Sequence, residues 1–165
     1  RLVTQNHSFQ FNLIDGFLRL LFFVGYLVVI SLMKEVRCLF QYHGAEHKAV
    51  HCYEADLPLT VKNVQKFSTL HPRCGTSLVV FVIAVSIVVF SLIRLDAWYW
   101  NVLMRIVVIP LIAGVSYELL KFTGTSKNSF LRLFAWPGMW VQKLTTRKPT
   151  DAQVEVAIVA LKKAL

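Results

Sequence analysis

Leu78-Val-Val-Phe-Val-Ile-Ala-Val-Ser-Ile-Val-Val-Phe-Ser-Leu-Ile93 carries no charged residue. Val and Ile dominate it, and by propensity alone such a run suits a buried strand. Length decides against that: ordinary strands run about five or six residues, whereas this run approaches the ~17–25 residues a helix needs to cross a bilayer. Two more runs match it. Leu13 to Met33 is broken only by Asp15, Gly16, Arg19, Gly25 and Ser31, and the only charges between Val102 and Leu120 are Arg105 near the start and Glu118 near the end. The sequence therefore predicts an all-α membrane protein with about three transmembrane helices, at 13–33, 78–95 and 101–120. Asp15 and Arg19 are spaced to pair on one helix face near the membrane boundary. The alternative for the first span lays residues 11–19 along the interface, so that only Leu20 to Met33 enters the hydrocarbon.

Composition agrees. Hydrophobic residues make up 56% of the chain and charged residues 16%, against about 25% charged in a soluble domain. The 165 residues suggest a single integral membrane domain, 1–165. The chain opens at Arg1 rather than Met, so preceding sequence is expected, and its first residues lack the pattern of a signal peptide. Basic residues collect in the loop 34–77 and in the tail 121–165, while the short connection Arg94 to Asn101 holds Trp98, Tyr99 and Trp100. That asymmetry places the loop and the C-terminus on the cytoplasmic or stromal side of a bacterial inner membrane or plastid membrane, with an aromatic belt opposite. The net charge of +9 favours anionic lipid head groups as partners. A homo-oligomer or a larger membrane complex fits as well. Nucleic acid does not, because the basic residues are scattered and no nucleic-acid motif accompanies them.

The loop 34–77 reads as structured. Lys34 to Glu54 suits a helix with Gly44 as its soft point and Pro58 as its stop. Thr60 is placed to cap a short helix reaching about Leu70, and Thr76 or Ser77 to cap the second span. In the tail, Phe130 to Leu144 mixes aromatic and basic residues, suits an interfacial segment, and is expected to break at Pro137-Gly138. Thr150-Asp-Ala-Gln153 forms a capping box. It opens a C-terminal amphipathic helix with Val154, Ala157, Ile158, Leu161 and Leu165 on its docking face.

Chemistry concentrates in Tyr42-His-Gly-Ala-Glu-His-Lys-Ala-Val-His-Cys-Tyr-Glu54. On a helix, His43, His47 and His51 drift by roughly 40° per step and Glu54 returns to within about 20° of His43. His43-x-x-Glu46-His47 is an H-x-x-E-H arrangement, in which two histidines one turn apart bind zinc and the glutamate acts as general base. His71 and Cys74 lie in the same loop and are good zinc ligands. Glu118 is an acidic residue at a membrane helix end, where such a group is a functional candidate by default. The bland alternative is a polar helix of hydrogen-bonded histidines, with Glu118 paired to Lys121. Cys38 and Cys52 read as packed thiols, and no disulfide is expected among the three cysteines.

Tyr42 to Lys48, His51-Cys-Tyr-Glu54, His71-Pro-Arg-Cys-Gly-Thr-Ser77, Tyr117-Glu118, Leu144-Thr-Thr146 and Asp151 to Ile158 together resemble the YqhQ-like family. These are bacterial and plastid integral membrane proteins usually labelled predicted metal-dependent enzymes. The resemblance covers nearly the whole chain and implies membrane residence and metal dependence through these same residues.

Two function classes follow. The first is a membrane-embedded zinc hydrolase. His43 and His47 hold a divalent metal, Glu118 or His51 completes the site, and Glu46 activates water. The second is a non-catalytic assembly factor or small subunit, in which His47, His51, His71 and Cys74 form a closed structural zinc site.

Overall fold

A computed structural model describes residues 2–93, 97–125 and 129–165, with the side chains at 2–9, 12 and 129–132 outside the description. Arg94, Leu95, Asp96 and Lys127, on which parts of the connection, the second span and the tail were drawn, lie outside the described residues, as does the side chain of Arg132. Among the described residues the regular elements are helices: α1 (Leu2–Ile30), α2 (Lys34–Glu54), α3 (Val61–Val64), α4 (Gly75–Leu92), α5 (Trp98–Thr125), α6 (Ser129–Thr145) and α7 (Asp151–Ala164). The chain divides into two compact units, residues 1–25 with 73–138 and residues 26–72 with 139–165.

The first unit holds α4, α5 and α1 as far as Gly25. Leu13–Ile30, Gly75–Leu92 and Trp98–Thr125 are each long and apolar enough to cross a membrane. Only 6% of the residues in the α4 span and 17% of those in the apolar window of α5 are fully buried by the protein, an arrangement that suits helices facing a bilayer. On α5 the covered residues Val108, Ile112, Ser116 and Leu120 recur every four positions, while Ile106, Val107, Ile109 and Leu111 around them are exposed. The helix hydroxyls turn back on their own backbone. Ser86 donates to Val82, Ser91 to Ile87 and Ser116 to Ile112, at 2.5–2.7 Å. This is how a hydroxyl on an apolar helix avoids standing unpaired, as it must wherever water is excluded. Arg19 donates to Asp15 at 2.9 Å, one turn away, as the spacing predicted.

Several boundaries differ from expectation. α1 begins well before Leu13 and ends at Ile30 rather than Met33. There Ser31 Oγ bonds the Val28 carbonyl, and Arg37 Nε bonds Ser31 O to start a new helix. α4 begins at Gly75 with Cys74 in the cap position and no side-chain cap, so neither Thr76 nor Ser77 plays that part. α5 runs through Pro110, and α6 runs through Pro137 without the expected break. Ser77 is fully buried instead, against Gly138, where a Cβ would stand 2.5 Å from the hydroxyl oxygen. Gly138 is thus a contact point inside a continuous helix.

The second unit is built on α2. Ala45, Ala49 and Cys52 on α2 meet Val64 of α3 and Val154 and Ile158 of α7 in a small core. Alanines on α2 let α7 approach closely. The predicted docking face of α7 is the observed one except at Leu165, which is 67% exposed. The capping box at Thr150 and Gln153 is present in full. α2 ends before Pro58, because Asp56 takes a left-handed conformation (φ 52°) and the Asp56 and Leu57 amides return to Tyr53 and Cys52. This is a common way to close a helix, and Asp is among the residues that tolerate it. Thr60 caps α3 through Asn63 as predicted, but α3 ends at Val64. Cys52 is buried and Cys38 is exposed, correcting the reading of both as packed thiols; all three cysteines are free.

Gly44 is the tightest point of this unit. An added Cβ would lie 2.2 Å from the Arg147 carbonyl oxygen and 3.3 Å from Thr69 Cγ2. Nothing stands within 4 Å of a Cβ at Gly25. Gly44→Ala is therefore expected to destabilise the protein by about 1–3 kcal/mol through overpacking. Gly25→Ala should be neutral or gain up to about 1 kcal/mol of helix propensity. Thermal unfolding of detergent-purified protein compares the two, and equal melting temperatures would contradict the close approach.

Candidate metal centre

His43, His47 and His51 rise one turn apart along α2, and each gives one ring nitrogen to a backbone carbonyl. His43 Nδ1 lies 2.8 Å from Thr145 O, His47 Nδ1 2.6 Å from Thr69 O, and His51 Nε2 2.8 Å from Leu70 O. A carbonyl oxygen only accepts, so each of these nitrogens carries the hydrogen. In the neutral ring the lone pair is then fixed on Nε2 of His43, Nε2 of His47 and Nδ1 of His51. Metal-binding histidines are held in the same manner, with the second nitrogen donating to a carbonyl or carboxylate.

The carbonyls are available because α3 stops at Val64: the Gln65, Lys66 and Phe67 amides still bond back into α3, but no following helical turn supplies donors to the carbonyls from Gln65 onward. The polar face of α2 takes up that segment in order. Lys48 Nζ donates to Gln65 O at 2.8 Å and to Phe67 O, then His47 to Thr69 and His51 to Leu70. Lys48 is buried, and burial, reinforced by the charge of Lys148, holds its pKa below the usual value. Two carbonyl partners replace the water it gives up.

His71 closes the arrangement. Its backbone is bracketed by one side chain: Gln142 Oε1 accepts from the His71 amide at 2.9 Å, and Gln142 Nε2 donates to the His71 carbonyl at 2.7 Å. Gln142 is fully buried at 0% exposure, so both bonds are shielded from water. The His71 ring is buried, with its centroid 4.6 Å from His51 and 5.8 Å from His47, and His47 is 4.4 Å from His43. Its Nε2 lies 3.3 Å from Glu54 Oε2. Burial pushes the His71 pKa down, the Glu54 hydrogen bond acts against that, and charge on His51 or His47 adds to the lowering.

One ligand atom each from His51, Glu54 and His71 fall within 4.8 Å of one another. Two nitrogen or oxygen ligands of a tetrahedral zinc with bonds of about 2.0–2.1 Å stand roughly 3.3 Å apart, which is the separation of His71 Nε2 from Glu54 Oε2. Glu54 is exposed and His51 half-buried, so the group faces solvent on one side. Glu46 is exposed too, but on another flank of α2, where it lines grooves with Tyr42, Ala49 and His43. Cys74 and Glu118 belong to the first unit. Cys74 is buried with Sγ 3.2 Å from Thr76 Oγ1, and Glu118 is exposed on α5. Gln142 and the fastening role of Lys48 carry no signal in the sequence. Glu54 does, through its return to the His43 face.

Two outcomes follow. The folded-state pKa of His71 lies below the 6.5 of a free imidazole, so its contribution to stability is fully present above pH 6.5 and is lost as pH falls through the lowered value. Melting temperatures of chelator-treated protein should fall from pH 7.5 to 5.5, and less so in His71→Gln. Gln142→Leu removes both bonds from the buried His71 backbone and should cost about 2–4 kcal/mol; a melting temperature within a degree of the parent would contradict the bracket.

The model of the family described as "Protein of unknown function (DUF1385)" matches residues 1–165. The protein named "Uncharacterized protein YqhQ" from Bacillus subtilis (strain 168) is 43% identical over 146 residues, covering 88% of this chain. The chain spans 46% of that relative's length. No solved structure matches. A family match from the first residue to the last, with a relative this similar, means that the chain belongs to the DUF1385 family, to which the loop motifs and the tail had pointed.

Proposed function

We propose that the protein is a membrane-resident metal-dependent enzyme, most simply a zinc hydrolase, whose divalent ion is held by His51, Glu54 and His71. The observation that carries this reading is the convergence of these three ligand atoms within 4.8 Å, with the His51 ring already fixed by a carbonyl. Two histidines and a carboxylate, with a coordination position left open, are a donor set of catalytic zinc and of non-haem iron. An ion there supplies Lewis acidity and a nucleophile at neutral pH. Exposure of Glu54 supports access from solvent. The chain's own residues do the rest. Leu70 O keeps the lone pair of His51 on Nδ1, Gln142 holds the His71 backbone, and His47 keeps its Nε2 lone pair to accept a proton while Thr69 O retains Nδ1–H. In this reading Glu54 is a metal ligand, a role distinct from the general base that the H-x-x-E-H spacing suggested for Glu46. The basic residues of the loop and tail support a site on the cytoplasmic or stromal side of the membrane.

The assembly-factor reading requires an ion that fastens the loop. Residues 65–71 are fastened by Lys48, His47, His51 and Gln142 through hydrogen bonds, which leaves an ion less to do there. A closed site also needs four protein ligands, and this group has three.

Metal analysis of the full-length protein purified from zinc-replete cells is expected to find about one divalent ion per chain. His71→Ala and Glu54→Gln should weaken binding by more than about 100-fold, beyond what losing an outer partner does. Glu46→Gln should retain the ion. Protein free of metal, with no binding of added zinc at micromolar concentration, would leave the histidines as loop fasteners only.

A further inference from the structure

The groove between α2 and α7 has a composition that selects its occupant. This open groove has a volume of about 360 Å³ and is lined by Tyr42, Glu46 and Ala49 on α2 and by Ala157, Ala160 and Ala164 on α7. Alanines form a shallow floor between two helices, the shape into which a ridge of a third helix fits. The rim is apolar and uncovered: Tyr42 is 40% exposed and Val156 53%. From Tyr42 to Val50 the α2 wall runs about 12 Å, or two helical turns.

Glu46 is the one charged residue of this lining. The chain has 18 Lys and Arg against 9 Asp and Glu, yet among the described residues none of the basic side chains forms an ion pair with Glu46. A carboxylate in an apolar groove tolerates burial only if the covering group brings a cation, because desolvating an unpaired charge is strongly unfavourable. Anionic lipid head groups would be repelled, and an acyl chain would leave the charge stranded. We propose that this groove docks an amphipathic helix of a partner protein, with aliphatic side chains at i, i+3 or i+4 and i+7 against the alanines and one Lys or Arg paired with Glu46. This is independent of the metal reading, since Glu46 is not among its ligands.

The test places the photo-crosslinker benzoylphenylalanine at position 160, an exposed site, in the full-length protein in its native membrane, with adducts mapped by mass spectrometry. The expected result is a discrete adduct on a helical amphipathic peptide containing a central basic residue. Glu46→Lys should lower its yield by more than about tenfold, and Glu46→Gln should lower it less. Replacing the captured basic residue by Glu should restore capture by the Glu46→Lys protein. Melting temperature and metal content should be unchanged in both variants, which separates failure of this proposal from failure of the metal site. Adducts only on lipid, adducts on a peptide without a basic residue, no adduct, or a yield indifferent to Glu46→Lys would each overturn it.

Discussion

Residues 65–71 leave backbone carbonyls without helical partners, and the polar face of α2 answers them one after another. Lys48 takes two, His47 and His51 take one each, and Gln142 brackets the last residue from α6. A buried carbonyl without a donor is unfavourable by about 1–3 kcal/mol, so the segment's path along α2 is fixed by this pairing. The same pairing sets the tautomer of each histidine and brings His71 beside His51 and Glu54. The loop's need for donors and the geometry of the candidate site are one constraint seen from two sides.

The two units solve different solvation problems. In the first, few residues of the long apolar helices are fully buried by the protein itself, while hydroxyls bond within their own helices. That economy of internal packing suits a bilayer, where lipid tails are as apolar as leucine. In the second, a small alanine-rich core holds α2, α3 and α7 together, and polar side chains do much of the fastening. Chemistry-bearing residues gather in the second unit, where water can reach one side of them.

Glu46 and Glu54 illustrate how a helix sorts similar residues. Both are exposed glutamates on α2, eight positions apart. Eight residues advance a helix by about 80° beyond two full turns. That angle turns Glu54 toward His71 and Glu46 toward α7, so one joins the imidazoles and the other stands in an apolar groove.

The sequence by itself determined whatever depends on local periodicity. The three apolar runs, the extent of Lys34–Glu54, the Asp15–Arg19 pair, the Thr150 capping box and the α7 docking face were legible because each rests on contacts within a few residues or on one helix face. The common stripe of His43, His47, His51 and Glu54 was legible for the same reason. What joins that stripe to the rest was not. Gln142 reaches across 71 positions to His71, Thr145 O comes 102 positions after His43, and Arg147 passes over Gly44. Local pattern also misjudged Pro137, Thr76 and Ser77, where packing of Gly138 against Ser77 prevailed over turn and cap propensities. Only the tertiary structure decided that Glu54 rather than Glu46 meets the histidines around His71. That choice depends on which flank the loop 65–71 follows, and the loop follows the flank that offers donors to its carbonyls.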